Sequence, residues 1–200
     1  MITACSIGGF LFWKSSSTPP EPEIRVPEEV CGGVVDGKTV SPLFPSTGSP
    51  YQESDHTFAK TGTRDNCMIS AGGLKVDFNL YGYAPGSSMS DGWVDEEIRK
   101  KGEGHVAISL GDAAGYADNR GARLYVECLQ PTGGSRLIGL WVNYYDVPDE
   151  EVPKNKRGAF ARAAAEGIKY STGPEGLNCE EHGDLVDASL TVGPEGGSSR

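Results

Sequence analysis

The sequence predicts an α+β domain: an antiparallel sheet of four to six strands, a C-terminal Ala-rich helix packed on one of its faces, and two disulfides. Three observations carry this. Between residues 66 and 145 apolar and polar side chains alternate in short runs separated by Gly-rich turns, the period-2 pattern of half-buried strands. Residues 154–170 switch to the 3.6 period of a helix. Setting Cys5 aside, Cys31, Cys67, Cys128 and Cys179 form an even set without a CxxC pair, which reads as structural disulfides rather than a zinc or redox centre.

Composition narrows the class further. Of 200 residues, 28 are Gly and 13 Pro, with 37% hydrophobic and 8% aromatic residues, the make-up of a loop-rich globular chain. This excludes a polytopic membrane protein, a collagen and a long coiled coil. A net charge of −10, from 18 basic and 28 acidic residues, argues against nucleic acid as a partner.

The chain opens on Ile2 to Trp13, twelve uncharged residues that end at Lys14. As a helix these reach roughly 18 Å, about half of a bilayer core of roughly 30 Å. Residues 1–14 are therefore expected to be a truncated hydrophobic anchor or signal remnant. One reading makes them the outer half of an anchoring helix, with Trp13 and Lys14 at its exit. A second makes Ile2-Thr3-Ala4-Cys5 a lipobox with Cys5 lipidated, although SIGGFLFW is an unusual continuation; a third packs the segment as an ordinary apolar element. Residues 15–27, with three serines, four prolines and two acids, read as a stalk. Extended at about 3.1 Å per residue, it spans up to roughly 40 Å.

A single extracytoplasmic domain is expected over 28–182. Pro27-Glu28-Glu29, ahead of Val30, Cys31, Val34 and Val35, reads as a short helix weakened by Gly32 and Gly33. Residues 41–64 are turn-rich and aperiodic, with Leu43 and Phe44 tucked into the core. Asn66–Ser70 and Leu74–Gly82 flank Ala71-Gly72-Gly73 as a hairpin in which Leu74, Val76, Phe78 and Leu80 face inward. A short helix is expected over Asp91–Lys101, followed by strands at His105–Leu110, Ala122–Gln130 and Leu137–Tyr145. In the second of these Leu124, Val126 and Cys128 point inward. In the helix, Phe160, Ala161, Ala164, Ala165 and Ile168 form the buried stripe, and Thr172-Gly173-Pro174 stops it. Residues 183–200 read as a flexible tail. Four cysteines allow three pairings; Cys31 with Cys67 and Cys128 with Cys179 avoid interleaving the two halves of the chain.

Few residues offer chemistry. His56 or His105 beside a serine would make a hydrolase pair, but no GxSxG elbow is present. Glu180, Glu181, His182 and Asp184 form an oxygen-rich cluster that would suit a divalent cation weakly, without helical spacing. Lys154, Lys156, Arg157, Arg162 and Lys169 outnumber Glu166 on the helix, whereas the tail is acidic. That opposition suggests either an anionic-partner surface or a tail folded back over the helix. Gly102-Glu103-Gly104 and Gly111-Asp112-Ala113-Ala114-Gly115 lack the context of a phosphate loop and read as turns. Tyr81, Tyr83, Trp93, Trp141, Tyr144 and Tyr145 offer aromatic surface, several on shared outward faces, with Trp141 expected in the core.

The apolar start and Ser/Pro stalk, Pro27-Glu28-Glu29-Val30-Cys31-Gly32-Gly33 at the domain entrance, Cys67 in the first hairpin, and Cys128 later joined by Cys179 together resemble small secreted, lipoprotein-like or membrane-anchored cell-envelope proteins of actinobacteria, streptomycetes especially. The resemblance covers roughly residues 10–182 and its motifs are structural. It implies compartment and scaffold and no catalytic residue or cofactor. The expected role is a non-enzymatic binding or envelope-associated module, anchored to the membrane through its N-terminus and facing an envelope protein or polymer. The alternatives are a cell-envelope hydrolase with a His/Ser pair and a weak divalent-cation binder.

Overall fold

A computed structural model describes residues 20–54, 58, 64–84, 96, 104–131, 133–180 and 182–193. The segment expected as an N-terminal anchor, with Cys5, as well as His56 and nearly all of the helix expected over Asp91–Lys101, lie outside these residues.

The Pro27–Val35 segment is a hairpin, not the expected helix: β1 (Glu29–Val30) pairs antiparallel with β2 (Val35–Asp36). Its turn places Cys31, Gly32 and Gly33 in succession at φ 54°, 69° and 89°. Helical backbone needs negative φ, and two adjacent glycines make the left-handed turn cheap. One helical turn, α1 (Gly37–Val40), follows, capped by the Asp36 carboxylate accepting from Lys38 N at 2.7 Å.

The main sheet has eight strands among the described residues, beyond the four to six expected. They are β3 (Gln52–Ser54), β4 (Arg64–Ala71), β5 (Leu74–Tyr83), β6 (Val106–Leu110), β7 (Ala113–Ala117), β8 (Gly121–Leu129), β9 (Ser135–Tyr144) and β10 (Thr191–Val192), in the spatial order β10-β6-β7-β8-β9-β5-β4-β3. All pairings are antiparallel. The β6–β9 meander is inserted so that its last strand lies against β5, with Asn79 opposite Trp141 and Asp77 opposite Asn143.

The extra strands have identifiable causes. β7 was expected as a turn because Ala113-Ala114-Gly115 offers no bulky alternation. Small residues are what the site demands, since a Cβ on Gly115 would stand 1.8 Å from the Arg123 carbonyl oxygen. β10 belongs to the segment expected as a flexible tail. There, α3 (His182–Val186) buries Leu185, Thr191 pairs with Ser109, and Lys169 Nζ donates to the carbonyls of Val186 at 2.9 Å and Ala188 at 3.1 Å. The tail does fold back on the helix, through backbone carbonyls rather than carboxylates. Of the segment expected as a stalk, residues 20–27 lie along the domain: Ile24 N donates to Ser46 O at 2.9 Å, Gly48 N to Pro22 O at 3.0 Å, and Ile24 and Val26 pack on the core. Two apolar side chains in a proline-rich run are enough to lay it on the domain.

One face of the sheet is the core. Cys67, Ile69, Val76, Phe78, Leu80, Ile108, Leu124, Cys128, Leu140 and Val142 are buried there. The helix α2 (Arg157–Thr172) packs on β7, β8 and β9 of this face. Phe160, Ala161, Ala164, Ala165 and Ile168 are all buried, and Phe160 meets Tyr144 edge to face with centroids 5.0 Å apart. Small alanines bring the helix axis close, so the core gains packing despite its modest apolar content. Leu43 and Phe44 are buried beneath it, and Tyr144 Oη donates to Leu43 O at 2.6 Å.

Two disulfides hold this arrangement, Cys31–Cys67 with Cα atoms 5.6 Å apart and Cys128–Cys179 with Cα atoms 5.1 Å apart. The first pins the β1–β2 turn to β4. The second ties the exit of α2 to β8, helped by Cys179 N donating to Thr172 O at 2.8 Å and Glu180 N to Leu129 O at 2.9 Å. These bridges indicate that the domain matures in an oxidising, extracytoplasmic compartment. No helix among the described residues is long and apolar enough to cross a membrane.

Candidate functional site

The sheet face opposite α2 is polar and aromatic. Strand alternation sends Tyr116, Arg123, Trp141, Asn143, Asn79 and Tyr81 to it, and the register lines them up across strands: Tyr116 opposite Arg123, Arg123 opposite Trp141, Trp141 opposite Asn79. A cleft of about 430 Å³ opens on this face, with His105, Tyr116, Asp118, Arg123, Trp141 and Asn143 in its wall. Its floor includes Gly121 and Ala122. A Cβ on Gly121 would lie 2.5 Å from Val142 O and 2.8 Å from the Asn143 Cβ, so glycine is needed for β8 to begin this close to β9.

His105 precedes β6 and Asp118 follows β7, so the β6–β7 hairpin brings them together with His105 Nε2 2.8 Å from Asp118 Oδ2. The other carboxylate oxygen accepts from Arg120 N at 2.6 Å and Gly121 N at 2.8 Å, an Asx turn that fixes the carboxylate on the tight β7–β8 connection. Arg120 then reaches out to an ion pair with Asp149 and donates to Val147 O at 2.7 Å. The carboxylate holds the proton of His105 on Nε2, leaving Nδ1 buried without a hydrogen-bond partner.

Trp141 is gripped from both neighbouring strands. The Arg123 guanidinium carbon stands 3.9 Å from its ring centroid, and Tyr81 approaches from the β5 side with centroids 4.6 Å apart. Arg123 also lies 5.7 Å from the Tyr116 ring, and Tyr81 stacks on Tyr83. Cation–π contacts of this kind contribute about 0.5–2 kcal/mol. Trp141 therefore lies on the outward face, against its expected place in the core, and the ring held between Arg123 and Tyr81 is closed to sugar stacking. Its Nε1 is buried with no hydrogen-bond partner, as is Asp77 Oδ1, whose Oδ2 accepts from Asn79 Nδ2 at 2.6 Å. Burial pushes the phenols of Tyr83 and Tyr125 on this face above their ordinary range, Tyr83 being raised further by Tyr81.

Of the residues singled out in the sequence, His105, Trp141 and Tyr144 line the cleft, and His105 is the one of the catalytic candidates found there. It has its oriented carboxylate, but among the described residues no serine hydroxyl is bonded to its second ring nitrogen. Among the described residues, no group of three or more His, Cys, Asp or Glu is arranged to hold a metal ion. Glu180 is exposed, Asp184 is exposed on α3, His182 begins that helix, and Glu181 lies outside the described residues. The five cations of the basic segment are dispersed. Lys154 and Arg162 are exposed, Lys156 donates to Pro42 O, Lys169 is bound to Val186 and Ala188, and Arg157 is half-buried. Among the aromatics, Tyr81, Tyr83 and Trp141 share the outward face, Tyr144 is core, Tyr145 is exposed, and Trp93 lies outside the described residues.

Sequence reading missed Arg123 and Asp118. Arg123 was legible as an outward position of the Ala122–Gln130 strand. Asp118 was hidden because its hairpin partner β7 was not recognised, although Asp-Asn-Arg-Gly carries turn chemistry. Comparison with known proteins finds no family model, no curated protein and no solved structure that matches this chain.

Proposed function

We propose that the protein is an extracytoplasmic, non-enzymatic binding or envelope-associated module, anchored to the membrane through its N-terminal apolar segment, which holds its ligand in the cleft on the helix-free face. The observation that carries this reading is the cleft itself, where His105, Asp118, Arg123, Trp141 and Asn143 converge on about 430 Å³. The cleft volume falls within the range of small-ligand sites. The two disulfides support the compartment, and the apolar run ahead of Lys14 supports the anchor.

The His105–Asp118 pair also suits a hydrolase base and its orienting carboxylate. That reading lacks a nucleophile bonded to the imidazole among the described residues, so binding is preferred.

The test is a fragment map. The full chain is titrated with a set of small polar molecules, charged and neutral, and read by amide and indole N–H shifts. Saturable shifts at Trp141, Gly121 and Arg123 are expected; hits that gather elsewhere, or a silent cleft, overturn the placement. Release of product from ester or amide probes, abolished by His105→Ala, would turn the assignment to hydrolysis.

A further inference from the structure

The described helices pack on one side of the sheet, and the other side carries the rings of Tyr81, Tyr83 and Tyr125 with Leu137. We propose that this aromatic face docks the chain's own segment 85–103, which joins β5 to β6 and seats an amphipathic helix there. The domain is then a sandwich of helix, sheet and helix, and its aromatic face is an internal surface rather than a platform for a polymer or a second copy. The proposal stands apart from the binding reading above and does not rest on it.

Sheet topology chooses the face. β5 and β6 run parallel with β9, β8 and β7 between them, and β9 and β10 run parallel with β8, β7 and β6 between them. Crossovers between parallel strands of one sheet are right-handed almost without exception. Both of these travel toward the β10 edge, but they set out from antiparallel neighbours, β5 and β9. Two crossovers of one hand that travel the same way from oppositely directed strands lie on opposite faces. The β9 crossover carries α2 over one face, where α1 and Leu43 also pack, so the β5 crossover takes the other.

Burial agrees with this choice. Tyr125 and Tyr116 stand on the face opposite α2, yet they are only 2% and 5% exposed. A Cβ on Gly139 would meet the Tyr125 ring at 2.8 Å and the Tyr83 ring at 3.3 Å, so glycine lets both rings lie down on the strands as a flat floor.

Length and pattern fit the span. β5 ends at Tyr83 opposite Leu137, and β6 begins at Val106 opposite Ala117. Four strand spacings across and about five residues along make the crossing roughly 25 Å from corner to corner. Residues 85–103 reach roughly 60 Å when extended, which leaves length for the helix expected over Asp91–Lys101, itself roughly 16 Å long. Glu96, the described residue of this stretch, is helical and exposed. Val94 and Ile98, two residues to either side, fall about 160° round the helix from it, which turns both apolar side chains to the tyrosine floor.

The experiment places a nitroxide on Glu96→Cys in the full chain, kept oxidised, and reads the broadening of backbone amides. The effect falls with the sixth power of distance, and the α2 amides lie a further layer of roughly 10 Å away, so Tyr125 and Gly139 should broaden at least about tenfold more than Ala163 and Ala164. Equal broadening of the two sets, stronger broadening on α2, or none at Tyr125 and Gly139 overturns the proposal. Val94→Asp combined with Ile98→Asp should lower Tm by about 5 °C or more, whereas Lys100→Asp, on the side of Glu96, should leave it unchanged. A double variant as stable as wild type overturns the docking; should it fail to fold, the nitroxide measurement decides alone. Tyr125 and Gly139 signals that move with protein concentration, together with a dimer in sedimentation, give the face to a second copy and overturn it too.

Discussion

Replacing Cys128 and Cys179 together by alanine opens a loop whose ends are 51 residues apart in sequence. In the chain-entropy description the bridge removes about 14 cal/mol/K from the unfolded ensemble, so its loss costs about 4 kcal/mol at room temperature. Both sulfurs are buried, at 0% and 6% exposure, and the void left by the bridge adds to the cost. For a chain of this size each kcal/mol lowers Tm by about 2–4 °C, which gives a drop of roughly 8–16 °C. The assay is paired thermal and urea unfolding of wild type and variant under non-reducing conditions. Because the perturbation acts on the unfolded chain, the urea slope m should rise as well. The Cys31–Cys67 bridge, at a separation of 36, provides an internal comparison. The same relation makes its removal only about 0.3 kcal/mol milder. A loss below about 1 kcal/mol with unchanged m would refute the reasoning, as would a difference of several kcal/mol between the two pairs, which would locate the effect in native packing instead. Removal of all four cysteines takes away about 8 kcal/mol, comparable to the whole stability of a typical domain, and an unfolded protein is expected.

Other expectations follow from the packing. Gly167→Ala puts a Cβ 2.4 Å from Leu140 Cδ2 inside the α2–sheet interface, and overpacking of about 1–3 kcal/mol is expected. On the same helix Gly158→Ala meets nothing closer than Arg162 Nη1 at 3.6 Å and should gain up to about 1 kcal/mol; chemical denaturation of the two variants checks the contrast. Tyr144→Phe strips the donor from the buried Leu43 carbonyl and should cost about 1–3 kcal/mol in the same assay. Burial raises the phenols of Tyr51, Tyr83, Tyr125 and Tyr144 in the folded protein, at Tyr51 with the further help of Glu53. A raised folded value means that the stabilisation is complete below pH 10, the ordinary tyrosine value, and is lost as pH climbs beyond it. Tm should therefore fall steeply in alkali, with phenolate absorbance rising together with unfolding. Tyrosines that titrate normally in the folded state would contradict this.

Much of the scaffold was readable from residue order. Val76, Phe78 and Leu80 announced a strand because their spacing of two matches the pleat, and the stripe from Phe160 to Ile168 announced a helix that buries one side. Where local chemistry was ambiguous, the reading went astray for identifiable reasons. Glu28-Glu29-Val30 favours a first helical turn, yet the left-handed run from Cys31 to Gly33 and the bridge to Cys67 impose a hairpin. Ala113–Ala117 has no strand signature of its own and becomes one because β6 and β8 lie on either side of it. Thr191–Val192 is too short to declare itself and pairs only because the edge of β6 is available.

The candidate site divides in the same way. His105 was noticed as a residue, and the outward positions of Arg123 and Tyr81 follow from alternation alone. Arg123 meets Trp141 across the β8–β9 hairpin, but the meeting of Tyr81 with Trp141 depends on β9 lying beside β5, a contact across more than fifty residues that no local pattern encodes.

By itself, then, the chain determined its compartment class through cysteine parity, its strand and helix periods, and which side of each strand faces oil. These are local properties, set by side chains a few residues apart. Tertiary structure alone decided that eight strands among the described residues form one sheet, that residues 20–27 and 182–193 lie against the domain, and that an imidazole, an indole and two guanidinium groups share a cleft. The physical reason is that strand order and register are fixed by the summed burial of a whole face, to which every strand contributes and which none of them specifies singly.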